Sequence, residues 1–332
     1  MRHPMPEESR PRSAPATGNM SAVDFDMLVA EHRRELYAHC YRMLGSVQDA
    51  EDAVQEALIG AWRGLASFEG RSSLRSWLYR ICTNACLRLV ERRPRRVLSV
   101  DFGPARVDVH ELGEPVPGPV WVEPWVEEPG PAEHYLRRES VELAFIAALQ
   151  HLPGTQRAVL ILREVLEFSA AEVAEILDTT PASVNSALQR ARATLRSRIG
   201  SPQPDGLTEQ GRRELVDAFV AAWERADTPA LLDLLAEDAR FTMPPLPAWF
   251  DGRENVARFL RERVFATPWR LSPVTVNARP GFACYLKQPG DTEFRFGAIT
   301  ALMLRAGRVA EINSFLEPAL RSGLPEIFRA DR

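Results

Sequence analysis

Apolar residues recur at helical spacing through the first 200 residues, and in shorter, strand-like runs further on. Phe25, Leu28, Val29, Leu36, Tyr37, Cys40 and Leu44 make one stripe and predict a helix over 24–44 that stops at Gly45. A second helix is expected over 49–65, with Ala53, Val54, Ala57, Leu58 and Trp62 turned inward. A loop at 68–73 leads to a third, whose core stripe is Leu74, Trp77, Leu78, Ile81, Ala85 and Leu89 and whose stop is Pro94. Residues 97–133 lack a sustained period and are rich in Pro, Gly and Val, so they read as an extended, loosely ordered linker. Helical spacing returns at 139–151 and 156–166, then in a helix pair at 169–177 and 181–198. Residues 201–207 form a hinge.

Beyond the hinge come helices at 208–226 and 229–235, a strand at 239–243 and a proline-aromatic loop at 244–250. A helix at 253–263 and strands at about 272–279, 281–287, 293–304 and 308–315 complete the pattern of a curved sheet wrapped against helices. The fold class is therefore multidomain. Two all-alpha units, at 24–96 and 134–200, precede a C-terminal alpha+beta cone at 208–328, and residues 1–23 read as a disordered tail.

The helix pair carries the clearest chemistry. Ser169 and Glu172 have capping-box spacing, and Asp178, Thr179 and Thr180 form the turn. Thr180 is placed to cap the second helix, and Pro181 suits its first position because the missing N–H has no partner there. Val184, Leu188, Ala191 and Leu195 line a buried stripe, opposite Ser183, Asn185, Ser186, Gln189, Arg190, Arg192 and Arg196. In a helix-turn-helix, the first helix crosses a DNA backbone while the second enters the major groove. Ser186, Gln189 and Arg190 are then the base readers, and Arg192 and Arg196 hold phosphate. An ordinary helical hairpin with a solvated face has the same pattern, so the rest of the chain must decide.

The formal net charge is -4, so any DNA contact must come from local patches. From 49 to 62 there are four acidic residues and no basic one, whereas 71–96 holds eight arginines against Glu91 alone. Two surfaces of opposite charge suit two different partners. The linker is acidic, and its Trp121 and Trp125 read as anchors that dock on a neighbouring surface. Cys40, Cys82, Cys86 and Cys284 have neither zinc nor disulfide spacing and read as small buried apolar residues in a reducing, cytoplasmic compartment. No apolar run is long enough for a bilayer, and no signal-peptide core precedes the first helix, so no membrane insertion is expected. The chain also lacks a GxxxxGK[ST] phosphate loop.

With these motifs in order, residues 168–198 resemble region 4 of a sigma factor of the sigma-70 family, extracytoplasmic-function type. Residues 24–96 resemble region 2 of the same family, and the last third resembles the SnoaL-like or NTF2-like domains attached to some actinobacterial members. The resemblance implies that the helix at 49–65 docks on the clamp coiled coil of the largest polymerase subunit, through Asp49, Asp52, Gln55 and Glu56. It implies that the arginine-rich helix opens the promoter and holds a base of the minus-ten element, with Phe68, Arg71, Ser73, Trp77, Arg80, Asn84, Leu87 and Arg88 as contacts. Many family members have an aspartate where this chain has Arg88, so its minus-ten preference is expected to differ. The helix-turn-helix then reads the minus-35 element, and the linker threads the polymerase cleft. The implied partners are core RNA polymerase (beta and beta-prime subunits), promoter DNA, and an anti-sigma factor or small-molecule signal. The chain would act as a monomer, with no cofactor, metal or catalytic residue.

Enzymes on the cone fold use an Asp/His or Tyr/Asp arrangement, but all six histidines lie before residue 208. Trp223, Phe241, Trp249, Phe250, Phe282, Tyr285 and Phe296 are the candidate lining of a ligand pocket. The domain is expected to regulate in cis, through the first unit or the linker. One rival reading, a stand-alone helix-turn-helix regulator with a ligand-sensing domain, leaves the charge split of 49–96 unused. The other, a fused isomerase-like enzyme, lacks a histidine where the fold would use one.

Overall fold

The structure is a computed structural model that describes residues 22–65, 68, 72–127, 142–199, 205–316 and 324–328, with first-helix side chains from Val29 onward. Residues 1–21 of the expected tail, the end of the linker at 128–133, the helix start at 139, Arg71 and hinge residues 201–204 lie outside the described residues, and Ala22 and Val23, assigned to the tail, begin the first helix.

The first unit is three helices, α1 (Ala22–Leu44), α2 (Val47–Gly64) and α3 (Leu74–Arg92). Gly45 breaks α1 from α2 in the left-handed region at φ +66, and a Cβ there would meet the Gln150 side chain at 3.0 Å. Ser46 caps α2 by accepting from the Asp49 amide at 3.1 Å, so the helix starts two residues earlier than its apolar stripe indicates. Trp62, expected inside, is 50% exposed.

The second unit holds α4 (Leu143–Gln150), α5 (Gly154–Leu160), α6 (Ala170–Ile176) and α7 (Pro181–Ile199), with α5 continued by a π turn over Ile161–Val165. Helices of seven or eight residues cannot hold together by their own hydrogen bonds. They are stabilised instead by a core shared with the first unit, in which Tyr41, Leu78, Tyr79 and Cys86 join Ile146, Leu149, Leu160, Phe168 and Val184. Tyr79 meets Phe168 edge-on at 5.2 Å, and the Arg75 guanidinium lies over both rings. Arg157, 4% exposed, donates to the Met43 carbonyl at the end of α1, to Gln150 Oε1 at 2.6 Å, and to the Gln150 and Leu152 carbonyls at 3.1 Å each. Gln150 Nε2 in turn donates to the Arg42 carbonyl at 3.3 Å. A buried guanidinium needs this many acceptors to offset its desolvation.

The linker corrects the expectation of a loose tether. Residues 97–127 lie against both neighbouring parts of the molecule. A 3-10 turn spans Ser99–Asp101, Val97 and Trp121 form a parallel bridge, and Val126–Glu127 form strand β1. Trp121 and Val122 are buried, and Trp125 packs edge-on against Tyr37 and Tyr41 at 5.1 and 5.4 Å. The extended segment lacks periodicity because its partners are remote in sequence.

The C-terminal domain comprises α8 (Glu209–Glu224), α9 (Thr228–Leu234), β2 (Leu235–Thr242), β3 (Trp249–Asp251), α10 (Arg253–Glu262), β4 (Trp269–Val276), β5 (Arg279–Leu286), β6 (Arg295–Arg305) and β7 (Arg308–Phe315). The sheet order is β1-β4-β5-β6-β7-β2-β3, so the linker supplies an edge strand of this sheet. β3 falls at the end of the expected proline-aromatic loop and pairs with β2 through Phe241 and Phe250. The other edge also meets the linker. The Arg106 amide donates to the Trp249 carbonyl at 2.8 Å, and Trp249 Nε1 donates to the Gly103 carbonyl at 2.8 Å. Val109 of the linker is buried in the cone's core beside the residues of α8, α10 and the sheet. One segment thus covers both sheet edges, which would otherwise expose unpaired backbone groups.

His39 lies wholly inside the first unit, with Nε2 2.9 Å from Thr83 Oγ1. Burial, then the nearby Arg42 charge, lowers its pKa from 6.5 to about 3. The unfolded chain therefore takes up this proton first. The stability contribution of neutral His39 is complete above pH 6.5 and is lost as pH falls from there towards 3. Urea unfolding at pH 6.5 and 5.5 should show a loss on the order of 1 kcal/mol from this group. A His39→Gln variant should lose correspondingly less over the same interval.

Candidate nucleic-acid interface

The helix-turn-helix is built as its capping residues dictate. The Ser169 and Glu172 capping box closes in both directions, at 2.7 and 3.2 Å, and Glu172 is held below the usual carboxylate range by the Ser169 bonds. Asp178 turns the chain in the left-handed region at φ +51. Thr180 Oγ1 then accepts from the Ser183 amide at 3.2 Å, with Pro181 as the first residue of α7. Val184, Leu188 and Ala191 are buried, and Ala187 is buried with them. Ser183, Asn185, Ser186, Gln189, Arg190, Arg192 and Arg196 are all exposed along the opposite side. Glu164 of the π turn pairs with Arg192 and so orients one of these cations.

The arginine-rich α3 presents Arg80, Asn84 and Arg88 as an exposed row at four-residue intervals. The other expected minus-ten residues are placed differently. Ser73 is the cap of α3, and the half-buried Trp77 lies 5.1 Å from the Phe68 ring. Leu87 and Val90 abut Gly154, where a Cβ would meet Leu87 Cδ2 at 3.1 Å, so Leu87 faces the second unit rather than open solvent. That corrects its reading as an available base contact in this packed state.

On α2, Asp52, Gln55 and Glu56 are exposed, but Asp49 is not. Asp49 is 3% exposed and receives Arg93 and Arg96, each at 2.5 Å. Its carboxylate is structural, which corrects its assignment to a docking face. The difference arises because Asp49 sits in the first turn, beside the chain that leaves α3. Two apolar residues extend the exposed face, Ile59 at 54% and Trp62 at 50% exposure. Ile59 lies outside the inward stripe of Ala53, Val54, Ala57 and Leu58, which is the one sequence signal of its exposure. Glu56 reaches Arg88 at 2.6 Å, linking the acidic helix to the arginine row.

The seven rings expected to line a pocket do not converge. Phe241, Phe250, Phe282 and Trp223 fill the cone's core, where Phe250 stacks on Phe259 at 4.4 Å and Phe219 faces Phe282 at 5.8 Å. Phe296 packs instead with Val276, Ile299 and Ala301, and Tyr285 lies against Phe296 and Phe328. Trp249 turns to the linker. Strand alternation sends successive rings to opposite faces, and an irregularity between Cys284 and Tyr285 shifts the register once more.

Two helical units, one with a helix-turn-helix and one with an arginine row beside an acidic face, have the make-up of a transcription factor. Comparison with known families agrees. Sigma-70 region 2 matches residues 28–96, Sigma-70 region 4 matches 142–195, and the SnoaL-like domain matches 216–312. The chain is 40% identical to the ECF RNA polymerase sigma factor SigG of Mycobacterium tuberculosis over 317 residues, covering 91% of this chain and 84% of that protein. It is 30% identical to the ECF RNA polymerase sigma factor SigW of Bacillus subtilis over 178 residues, 53% of this chain and 88% of that one. The crystal structure of the extracytoplasmic function sigma factor SigJ of Mycobacterium tuberculosis has the same fold, with a TM-score of 0.62 at 23% identity over 91% of this chain and 99% of that chain. The chain belongs to the extracytoplasmic-function sigma factors of the sigma-70 family, which direct transcription, and it carries a C-terminal SnoaL-like domain. Among the described residues, no helix is long and apolar enough to cross a membrane.

Replacing Asp49 with asparagine removes one of the two carboxylates that neutralise the buried Arg96, leaving Glu123 alone, and takes the partner of Arg93 as well. The expected cost is about 3 kcal/mol in urea unfolding, against less than about 0.5 kcal/mol for the exposed Asp52→Asn. Equal effects at the two positions would contradict a structural role for Asp49.

Proposed function

We propose that the chain docks on core RNA polymerase through the outer face of α2, reads the minus-ten element with α3 and the minus-35 element with α7, and is controlled in cis by its C-terminal domain. The observation that carries this reading is the pairing of the exposed α7 row with the α3 row of Arg80, Asn84 and Arg88 in one chain. Two DNA surfaces on linked units raise affinity through effective concentration. Ser186, Gln189 and Arg190 are the base readers of α7, and Arg192 and Arg196 its phosphate contacts. Arg88, Arg80, Asn84, Phe68, Ser73, Trp77 and Arg71 serve the minus-ten strand, joined by Leu87 once the units separate. Asp52, Gln55 and Glu56 supply charge and hydrogen bonds to the beta-prime clamp, with Ile59 and Trp62 as apolar contacts. Beta-subunit contacts fall to the second unit.

The role needs no catalysis and no cofactor. The cone's aromatic residues are packed against one another, which favours a regulatory domain over an enzyme. The chain works as a monomer in the cytoplasm, and an anti-sigma factor or a small-molecule signal is a further partner. Cis control is supported by the linker. Its residues 97–127 are held along the C-terminal domain, whereas a linker that threads a polymerase cleft must leave that surface. The two helical units are also packed together around Arg157, so they must separate before α3 and α7 can reach two elements of one duplex.

Transcription from a promoter library with core polymerase tests both claims. The full chain and residues 1–206 should select the same promoters but with different yields. An unchanged yield and unchanged polymerase affinity would rule out cis control. Asp52→Ala with Glu56→Ala should weaken core-polymerase binding by about tenfold, read by competition against the unaltered chain. Gln189→Ala with Arg190→Ala should flatten discrimination among minus-35 sequences by about 1–3 kcal/mol.

A further inference from the structure

The turn between β4 and β5 does more than join two strands. Asn277 and Ala278 both lie in the left-handed region, at φ +51 and +58, as a type I′ hairpin turn requires. Asparagine suits that conformation, and here its side chain is turned outward onto other parts of the chain. The Asn277 amide donates to the Trp125 carbonyl at 2.9 Å, and the Trp125 amide donates back to Asn277 Oδ1 at 3.0 Å. Asn277 Nδ2 donates to the Tyr41 hydroxyl on α1 at 2.8 Å. Tyr41 in turn donates to the Glu123 carbonyl at 2.7 Å. The Ala278 amide donates to Glu127 Oε1 at 2.7 Å.

Arg279 completes the set. Its guanidinium pairs with Glu142, the residue before α4, and lies 4.0 Å from Asp205, which precedes α8. Those two carboxylates flank the second unit on either side in sequence. Three consecutive residues of the C-terminal domain therefore touch the first unit, the linker, and both flanks of the second unit. The contacts continue inward. The Glu123 carboxylate accepts from Ser46 Oγ and the Val47 amide at the start of α2, at 2.8 and 2.9 Å. It also accepts from Arg96 at 3.0 Å, and Arg96 holds Asp49 of α2. A polar chain thus runs from the hairpin turn to the first turn of the acidic helix.

We propose that the turn at 277–279 is the clasp through which the C-terminal domain restrains initiation or permits it. It fastens residues 121–127 and the second unit in the packed state, and its release frees them together. The rest of the linker has separate attachments. Ser99 Oγ donates to the Leu246 carbonyl, the Arg106 amide to that of Trp249 and the Val116 amide to that of Pro245, at 3.1, 2.8 and 2.9 Å. Opening the clasp therefore loosens one half of the linker and leaves the other in place. The proposal rests on the cis-control reading above and assigns that control to named contacts.

The test uses the full chain carrying Asn277→Gly with Arg279→Gln. Glycine keeps the positive φ while removing the side chain that binds Trp125 and Tyr41. Amide hydrogen exchange at Trp125 and Val126 should quicken by about tenfold or more, the scale expected for losing several buried hydrogen bonds. Exchange at Arg106, Val116 and the paired amides of β6 and β7 should hold, which also reports that the domain is folded. Tyr41→Phe approaches the same clasp from α1 and should quicken Trp125 without altering the hairpin itself. Unchanged exchange at Trp125 in both variants overturns the clasp. In transcription with core polymerase, the turn variant should shift yield in the same direction as removing the domain, with promoter choice unchanged. If domain removal shifts yield and the turn variant does not, control runs through another contact and the proposal fails. If neither shifts it, the cis-control reading itself fails.

Discussion

The arrangement of the molecule depends on one linker carboxylate. Glu123 sits at the start of α2, accepts from Ser46 and Val47, and is held by Arg96. A carboxylate at a helix N-terminus meets unsatisfied amides and the positive end of the helix dipole, so its charge is doubly favoured there. Arg96, 5% exposed, must then be neutralised, and Asp49 and Glu123 do so from two sides. Removing Arg96 takes a counter-charge from both carboxylates at once, whereas removing either carboxylate leaves the guanidinium with the other. The chain that leaves α3 and the chain that approaches β1 are thereby fixed to the same end of α2.

This fixed point explains why the molecule has fewer independent bodies than its domain order suggests. The two helical units share a core because the short helices of the second cannot bury an adequate apolar face among themselves. The C-terminal domain has its own core but borrows Val109 and strand β1 from the linker. The linker is therefore structural in the packed state. Conformational change here means exchanging one set of satisfied backbone groups for another. A few well-placed polar residues can bias such an equilibrium.

Legibility followed the range of the interactions. The cap at Ser169, the turn at Asp178 and the proline at 181 act within a few residues, and α6 and α7 appear where those signals place them. The strand at 308–315 was likewise bounded by its own turn at Gly307. Asp49 and Leu87 went the other way. The family resemblance places both on accessible helix faces, yet one is covered by arginines from 93 and 96 and the other by α5. The rings expected to line one pocket fall in different surroundings, because their faces depend on strand pairing and on a register irregularity that spacing alone does not encode.

The sequence by itself determined the family, the fold class, the helix-turn-helix with its exposed polar face, and the separation of acid from base along the first unit. The family is carried by the resemblance of ordered motifs, and the other properties rest on local periodicity, capping and charge, which act over one or two turns of chain. Only the tertiary structure decided that the linker is bound along both sheet edges, that Asp49 is internal, and that the two helical units are closed on one core. Those outcomes depend on contacts between residues 47 to 236 positions apart, such as Asp49 with Arg96 and Tyr41 with Asn277. Such pairs have no signature in local spacing, because each partner satisfies a group that becomes buried only when the chain has folded.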